Sequence, residues 1–291
     1  LASPLGRSAH AEHILSLVRW RSLTAHIAPA PPFRYLTRPP EGHAMDAETT
    51  IQSEADSQAR LDLAAVYRLL AQHGWGDVIF DHAAMRVPSN PRRFLIKRHE
   101  LLYTEVTSSN LVEVSMDDDL DERSGVNRPG FTLHSGILRG RPDVQCSVHI
   151  HPEEGIALSG LKHGLRPLSQ NAMRFYNRVG YHDYEGLTDN FDERERIVAA
   201  LGENRALVMR HHGITTVGET AREAFSLIKE FVRAARIQLH MEATGAELLE
   251  IPAEVCERVA AQYEKHDRGR ASAEWPAYLR QLDVIDPGYR A

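Results

Sequence analysis

Two histidines stand one residue apart in the stretch QCSVHIHPEEG, residues 145 to 155, at the end of an apolar run. On an extended chain alternate side chains share a face, about 6.5 to 7 Å apart along the backbone, so His149 and His151 can converge on one ion. A catalytic divalent site needs three protein ligands and an open position for water or substrate, so a third ligand must come from another segment. RHHG at 210 to 213 is the candidate, because it too follows an apolar strand and ends in a glycine that frees the backbone for a turn. On these residues alone a second reading stands beside the metal site. The chain has 16 histidines, and imidazole also serves as a hydrogen-bonding surface group.

The elements that must position these residues follow from periodicity. ADSQARLDLAAVYRLLAQHG, residues 55 to 74, has apolar residues at helical spacing, Asp56 or Ser57 as an N-cap and Gly74 as a stop. Strands are predicted at 77–80 (DVIF), 83–88, 93–97, 111–119 and 144–150, with two more strand-like pieces inside 205–218. Residues 130–143 have the pattern of a helix, and 219–245 form the longest amphipathic one. The last 40 residues, with Trp275, Pro276, Pro287 and Gly288, read as an irregular tail from 251 onward that packs on the domain or on a neighbouring subunit. The sum is a mixed sheet flanked by helices.

Composition narrows the partners. A net charge of −6 gives no basic face for nucleic acid or an anionic membrane, which leaves a small soluble molecule. No run reaches the roughly 20 apolar residues that span a bilayer. Cys146 and Cys256 have neither disulfide-framework nor zinc-knuckle spacing, which points to a reducing cytoplasm. Residues 1–44, rich in Arg, His, Ala and Pro, read as an extension outside the folded core, with Met45 as a native start and the main domain over 45–250.

From about Leu61 to Gly245 the chain resembles the class II aldolase/adducin family. NRPGFTLHSGILRGRPDVQCSVHIHP, YHDYEG and RHHGITTVGETAREAF carry the likeness in order and spacing, nearest the adducin-head branch with its bacterial members. The resemblance implies a three-layer α/β/α sandwich around a mixed, largely antiparallel sheet. It also implies a homotetramer with a divalent ion near a subunit interface, held by His149, His151 and His212. Zinc is the expected metal, with manganese or ferrous iron as alternatives.

Departures from the aldolase pattern bear on the substrate. The sugar-phosphate aldolases cradle phosphate with a Gly-Asn turn, a Thr-Gly turn and a Ser-Ser pair. Asp81 and His82, His99 and Glu100, and Arg128 and Pro129 stand at those positions here. Arg128 can pair with a carboxylate, and His82 and His99 join it as substrate-binding candidates. The glutamate that follows the Ser-Ser pair as acid/base is replaced by Gly130. Glu153, Glu154, Tyr181 and His182 are the replacement candidates for proton transfer, each with a surface or packing role as the plain alternative. His134 and His211 are expected to support the fold or the ligands.

The expected activity is a metal-dependent lyase, of aldolase or decarboxylase type. It would act on a small, non-phosphorylated hydroxy-carbonyl or carboxylate compound through an enediolate-like intermediate. Two other readings are a non-enzymatic scaffold like the adducin head and a ferrous oxygenase on the same fold.

Overall fold

The computed structural model describes residues 54–270 and 273–291. The extension expected at 1–44 and the start expected at Met45 lie outside these residues. In chain order the helices and strands are α1 (Glu54–Gln72), β1 (His82–Val87), β2 (Asn90–Ile96), β3 (Val112–Ser115), α2 (Arg128–Gly140), β4 (Cys146–Ile150), α3 (Glu153–Ser159), α4 (Gln170–Met173), β5 (Val179–His182), α5 (Glu193–Leu201), β6 (Ala206–Met209), β7 (Gly213–Gly218), α6 (Ala221–Ala243), α7 (Ala253–Arg270) and α8 (Glu274–Ile285).

The strands form one sheet in the order β3-β2-β1-β4-β7-β6-β5. Every neighbouring pair is antiparallel except β5 with β6. This is the mixed, largely antiparallel sheet that was expected, and helices cover both faces. On one face α1, α3 and α6 close a core around Leu63, Val66, Val148, Phe225 and Phe231. On the other, α2 and α5 close a second around Phe94, Phe131, Ile137 and Ile197. Each such fully buried side chain contributes about 1.5–3 kcal/mol relative to exposure, so both layers are firmly held.

The alternation of β4 decides where the chemistry lies. Cys146, Val148 and Ile150 enter the first core, so Ser147 and His149 face the α2 side. Neighbouring strands place His82 of β1 and Thr215 of β7 opposite His149 in register. The polar residues thus gather in one row across three strands.

Two sequence expectations are corrected. Residues 77–80 form a turn, not a strand: Val78 takes φ 51°, and the amides of Val78 and Phe80 bond back to Gly76 and Asp77 within the same loop. With those donors spent locally, no ladder can form. The tail from 251 is not irregular, because 253–270 and 274–285 are helical. Pro276 falls in the first turn of α8, where a missing N–H costs nothing. That helix docks on α1 through Trp275 Nε1–H donating to Asp62 (3.0 Å), and Arg68 grips Asp286 just beyond it with bonds of 2.7 and 2.8 Å. Two smaller differences are that β3 covers only 112–115, and that α1 is already formed at Glu54, so Asp56 lies inside its first turn and accepts the Ser89 amide.

Candidate metal centre

Three segments bring the expected ligands together. His149 is the penultimate residue of the buried strand β4, His151 follows one residue beyond the strand, and His212 lies in the turn between β6 and β7. Their ring centroids are 4.7–4.9 Å apart, and one nitrogen from each lies within 4.8 Å of the others. Gly213 allows that turn its place: a Cβ there would stand 2.7 Å from the Ile150 carbonyl oxygen and 2.8 Å from His151 Cδ2. His211 takes the left-handed conformation, φ 57°, and is exposed, so it shapes the turn and adds no ligand.

Outer partners orient the first two rings. His149 Nδ1 bonds Thr215 Oγ1 at 2.8 Å, and His151 Nδ1 meets the Asp81 carboxylate at 2.8 Å, with Asp77 at 3.5 Å. Both Nε2 atoms therefore point inward, 2.8 Å from each other. Imidazole anchored at Nδ1 with Nε2 free is the usual arrangement of a metal-bound histidine. Metal–nitrogen bonds of 2.0–2.1 Å at tetrahedral angles separate ligand nitrogens by about 3.3 Å, so an ion needs these rings to part by about half an ångström.

The electrostatics suit a cation. Burial, followed by the neighbouring imidazoles, holds His149 far below the ordinary histidine pKa. Burial, then His151, brings His212 down to about 4. Both rings are neutral at physiological pH, with a lone pair to give. Burial alone would also lower His151, but Asp81 and then Asp77 more than offset it and its pKa is raised.

The Asp81 carboxylate also accepts from the Asp77 amide at 3.4 Å. The Lys97 ammonium, buried beside this loop, donates to the carbonyls of Ile79 (2.8 Å) and His99 (3.1 Å) and so ties the 77–81 turn to the end of β2.

The other candidates fall into two groups. His82 lies in the ligand row: its ring stacks on His149 with centroids 5.1 Å apart, and its Nδ1 bonds His134 Nε2 at 2.8 Å. His134 continues to Ser147 Oγ at 3.0 Å, which is the supporting role expected of it. His182 is buried on β5 with Nε2 3.0 Å from Glu193, and it is near enough to His212 to act on it electrostatically. Arg128, exposed at the start of α2, lies over the Phe191 ring at 4.8 Å.

Elsewhere the carboxylate or hydroxyl is already engaged. Glu154 pairs with Arg236 at 2.6 Å, and Tyr181 Oη accepts from the Leu165 amide at 3.0 Å. His99 stands edge-on to Phe80, and Glu153 is exposed. Sequence reasoning did not single out Thr215, Asp77 or Ser147. Thr215 could have been found from the β7 alternation, since it faces the same side as Val217.

Residues 61–239 match the family model described as the Class II Aldolase and Adducin N-terminal domain. A provisionally named aldolase class 2 protein of Caulobacter vibrioides is 39% identical over 240 residues, covering 81% of this chain and 93% of that protein. Alpha-adducin of Rattus norvegicus is 40% identical over 204 residues, 68% of this chain but 28% of the adducin. Among solved structures, an aldolase II superfamily protein from Pseudomonas syringae superposes with a TM-score of 0.77 at 37% identity, covering 84% of this chain and 99% of that one. The chain belongs to the class II aldolase/adducin family, whose fold it carries.

Proposed function

We propose that the protein is a metal-dependent lyase acting on a small, non-phosphorylated hydroxy-carbonyl or hydroxy-carboxylate compound, with His149, His151 and His212 as ligands. The observation that carries this reading is the inward convergence of three imidazoles, two of them anchored at Nδ1 by Thr215 and Asp81. A divalent ion, zinc by preference for an all-nitrogen set, supplies Lewis-acid polarisation of a bound carbonyl or carboxylate.

The chain's own residues supply the rest. The Arg128 guanidinium has no acidic partner among the described residues and receives the substrate carboxylate as a two-pronged donor. His182, oriented by Glu193 through Nε2, keeps Nδ1 free among the described residues and moves the proton there. Glu100 stands where a phosphate cradle would require backbone room. It is exposed and paired with Arg98 at 2.6 Å, which disfavours a phosphosugar.

Assembly as a homotetramer belongs to the same reading, supported by Val78 and Phe80, which leave large apolar side chains exposed in the loop that carries Asp81. A cytoplasmic site of action is supported by two buried, unpaired cysteines. Among the described residues no helix is long and apolar enough to cross a membrane.

Elemental analysis of the purified protein tests the ligand set. One divalent ion per chain is expected, and none in His149→Ala or His212→Ala; full occupancy in either variant refutes the assignment. A screen of hydroxy acids and keto acids for aldehyde or carbon dioxide release then tests the reaction. Likeness to alpha-adducin favours a second reading, a binding scaffold, and a metal-loaded chain without turnover across that screen selects it. Oxygen uptake with ferrous iron would instead select an oxygenase.

A further inference from the structure

We infer that His82 presents a permanent Nε2–H donor to the substrate beside the ion, and that Ser147 sets this polarity through His134. The substrate half of the inference rests on the proposed enzyme; the polarity half does not.

Ser147 is fully buried in β4, and among the described residues its hydroxyl has one partner, His134 Nδ1, at 3.0 Å. A hydroxyl can leave a lone pair unused at little cost, but its hydrogen needs an acceptor when buried. Were Nδ1 of His134 protonated, the Ser147 hydrogen would point at no acceptor among the described residues. Ser147 therefore donates to Nδ1, and the single proton of His134 sits on Nε2. Burial brings His134 down to about 3, so the ring carries no second proton.

His134 Nε2–H in turn faces His82 Nδ1 at 2.8 Å. Nδ1 of His82 must accept, which leaves its own proton on Nε2. That nitrogen has no protein partner among the described residues. The ring lies 5.1 Å from the His149 ring and nearly parallel to it, at 25°. A group held beside the ion is thus one ring layer from the donor.

Gly130 makes this placement compatible with α2. A Cβ at that position would stand 2.9 Å from His82 Cδ2 and 2.5 Å from Asn127 Oδ1. His82 and a bulkier residue at 130 exclude each other, so the glycine and the histidine form one device. A neutral N–H recognises an acceptor oxygen and disfavours another donor, so the fitting ligand is a 2-hydroxy carboxylate or 2-hydroxy carbonyl compound with its acceptor oxygen turned to His82.

The tautomers are directly measurable. In the metal-free full chain labelled with histidine-specific 15N, long-range 1H–15N correlation spectra distinguish Nδ1–H from Nε2–H rings. Signals are assigned by their loss in His82→Gln and His134→Gln. Both rings are expected as Nε2–H, and Ser147→Ala, which keeps the fold but removes the anchor, should mix the His134 and His82 tautomers. An Nδ1–H ring at His82 in the unmutated chain overturns the inference.

For the ligand, zinc-loaded protein titrated with glycolate should bind roughly tenfold to hundredfold more weakly in His82→Phe, as expected for a lost hydrogen bond to a charged group. Equal affinity overturns the donor role. If the chain retains no zinc while both tautomers come out as Nε2–H, the enzyme reading has failed and the polarity stands.

Discussion

Replacing Asp81 with asparagine keeps the side chain's shape and removes a charge 2.8 Å from His151 Nδ1. Asp81 is 1% exposed, so water screens that charge very little. Carboxylate partners of metal-bound histidines are worth 10–100-fold in affinity, which is about 1.4–2.7 kcal/mol here. His151 has a raised pKa because Asp81 and Asp77 outweigh its burial, and a protonated ring cannot bind an ion. Affinity in the wild type is thus fully present above that raised value and is lost as pH falls through it. Asparagine lowers the His151 pKa, which weakens proton competition while it also weakens the bond. The deficit of Asp81→Asn should therefore be largest at about pH 8 and narrow at about pH 6, near the ordinary histidine value. Competitive zinc titration against a chelator, with thermal melts as a check on folding, measures this. An affinity within twofold of wild type at the higher pH, with an unchanged melt, would refute the role of Asp81.

Gly213→Ala should lower zinc affinity by at least roughly tenfold, because the new methyl meets His151 Cδ2 at 2.8 Å and displaces a ligand; the same titration reads it. Gly130→Ala should cost about 1–3 kcal/mol in urea unfolding through overpacking, and part of that cost should return in the double variant with His82→Ala, where the contact at 2.9 Å is gone. Arg68→Ala should cost about 1–3 kcal/mol in the same assay. It strands the Val106 carbonyl and Asp286, but Asp286 is 31% exposed and partly rescued by solvent.

Much of the metal site was legible because strand alternation is local. The run at 144–150 dictates that residues 147 and 149 share a face, and no tertiary information is needed for that. The partners of these residues were less legible. Asp81 is separated from His151 in sequence by β1, β2, β3, α2 and β4, and only the antiparallel pairing of β1 with β4 brings them together. The same holds for Ser147, His134 and His82, which come from β4, α2 and β1.

DVIF misled for a physical reason. Its β-branched composition fits a strand, but Val78 and Phe80 are 62% and 53% exposed, with no core to alternate against. Helix α7 was hidden by its polarity: among its described side chains Cys256 and Ala260 are buried, too few to print a 3.6-residue period on so charged a segment. Helix α8 was hidden by Pro276, which was read as part of an irregular tail but falls in the first turn of the helix.

The lost aldolase features are better understood as one coupled exchange than as separate losses. At the position where the resemblance puts the first cradle turn stand Asp81 and His82, and both contact the proposed ligands: Asp81 anchors His151, while His82 packs flat on His149. His82 occupies the space that the side chain of a residue at 130 would need, so the glutamate of the aldolases cannot coexist with it. Restoring that glutamate alone would push His82 off His149 and break its bond to His134. Restoring Gly-Asn at 81 and 82 alone would free the space but strip His151 of its carboxylate. Neither single reversal gains a functioning phosphate cradle, and each damages the metal site. The three positions are therefore sterically and electrostatically coupled, which would tie the proposed non-phosphorylated substrate to the arrangement of the proposed ligands.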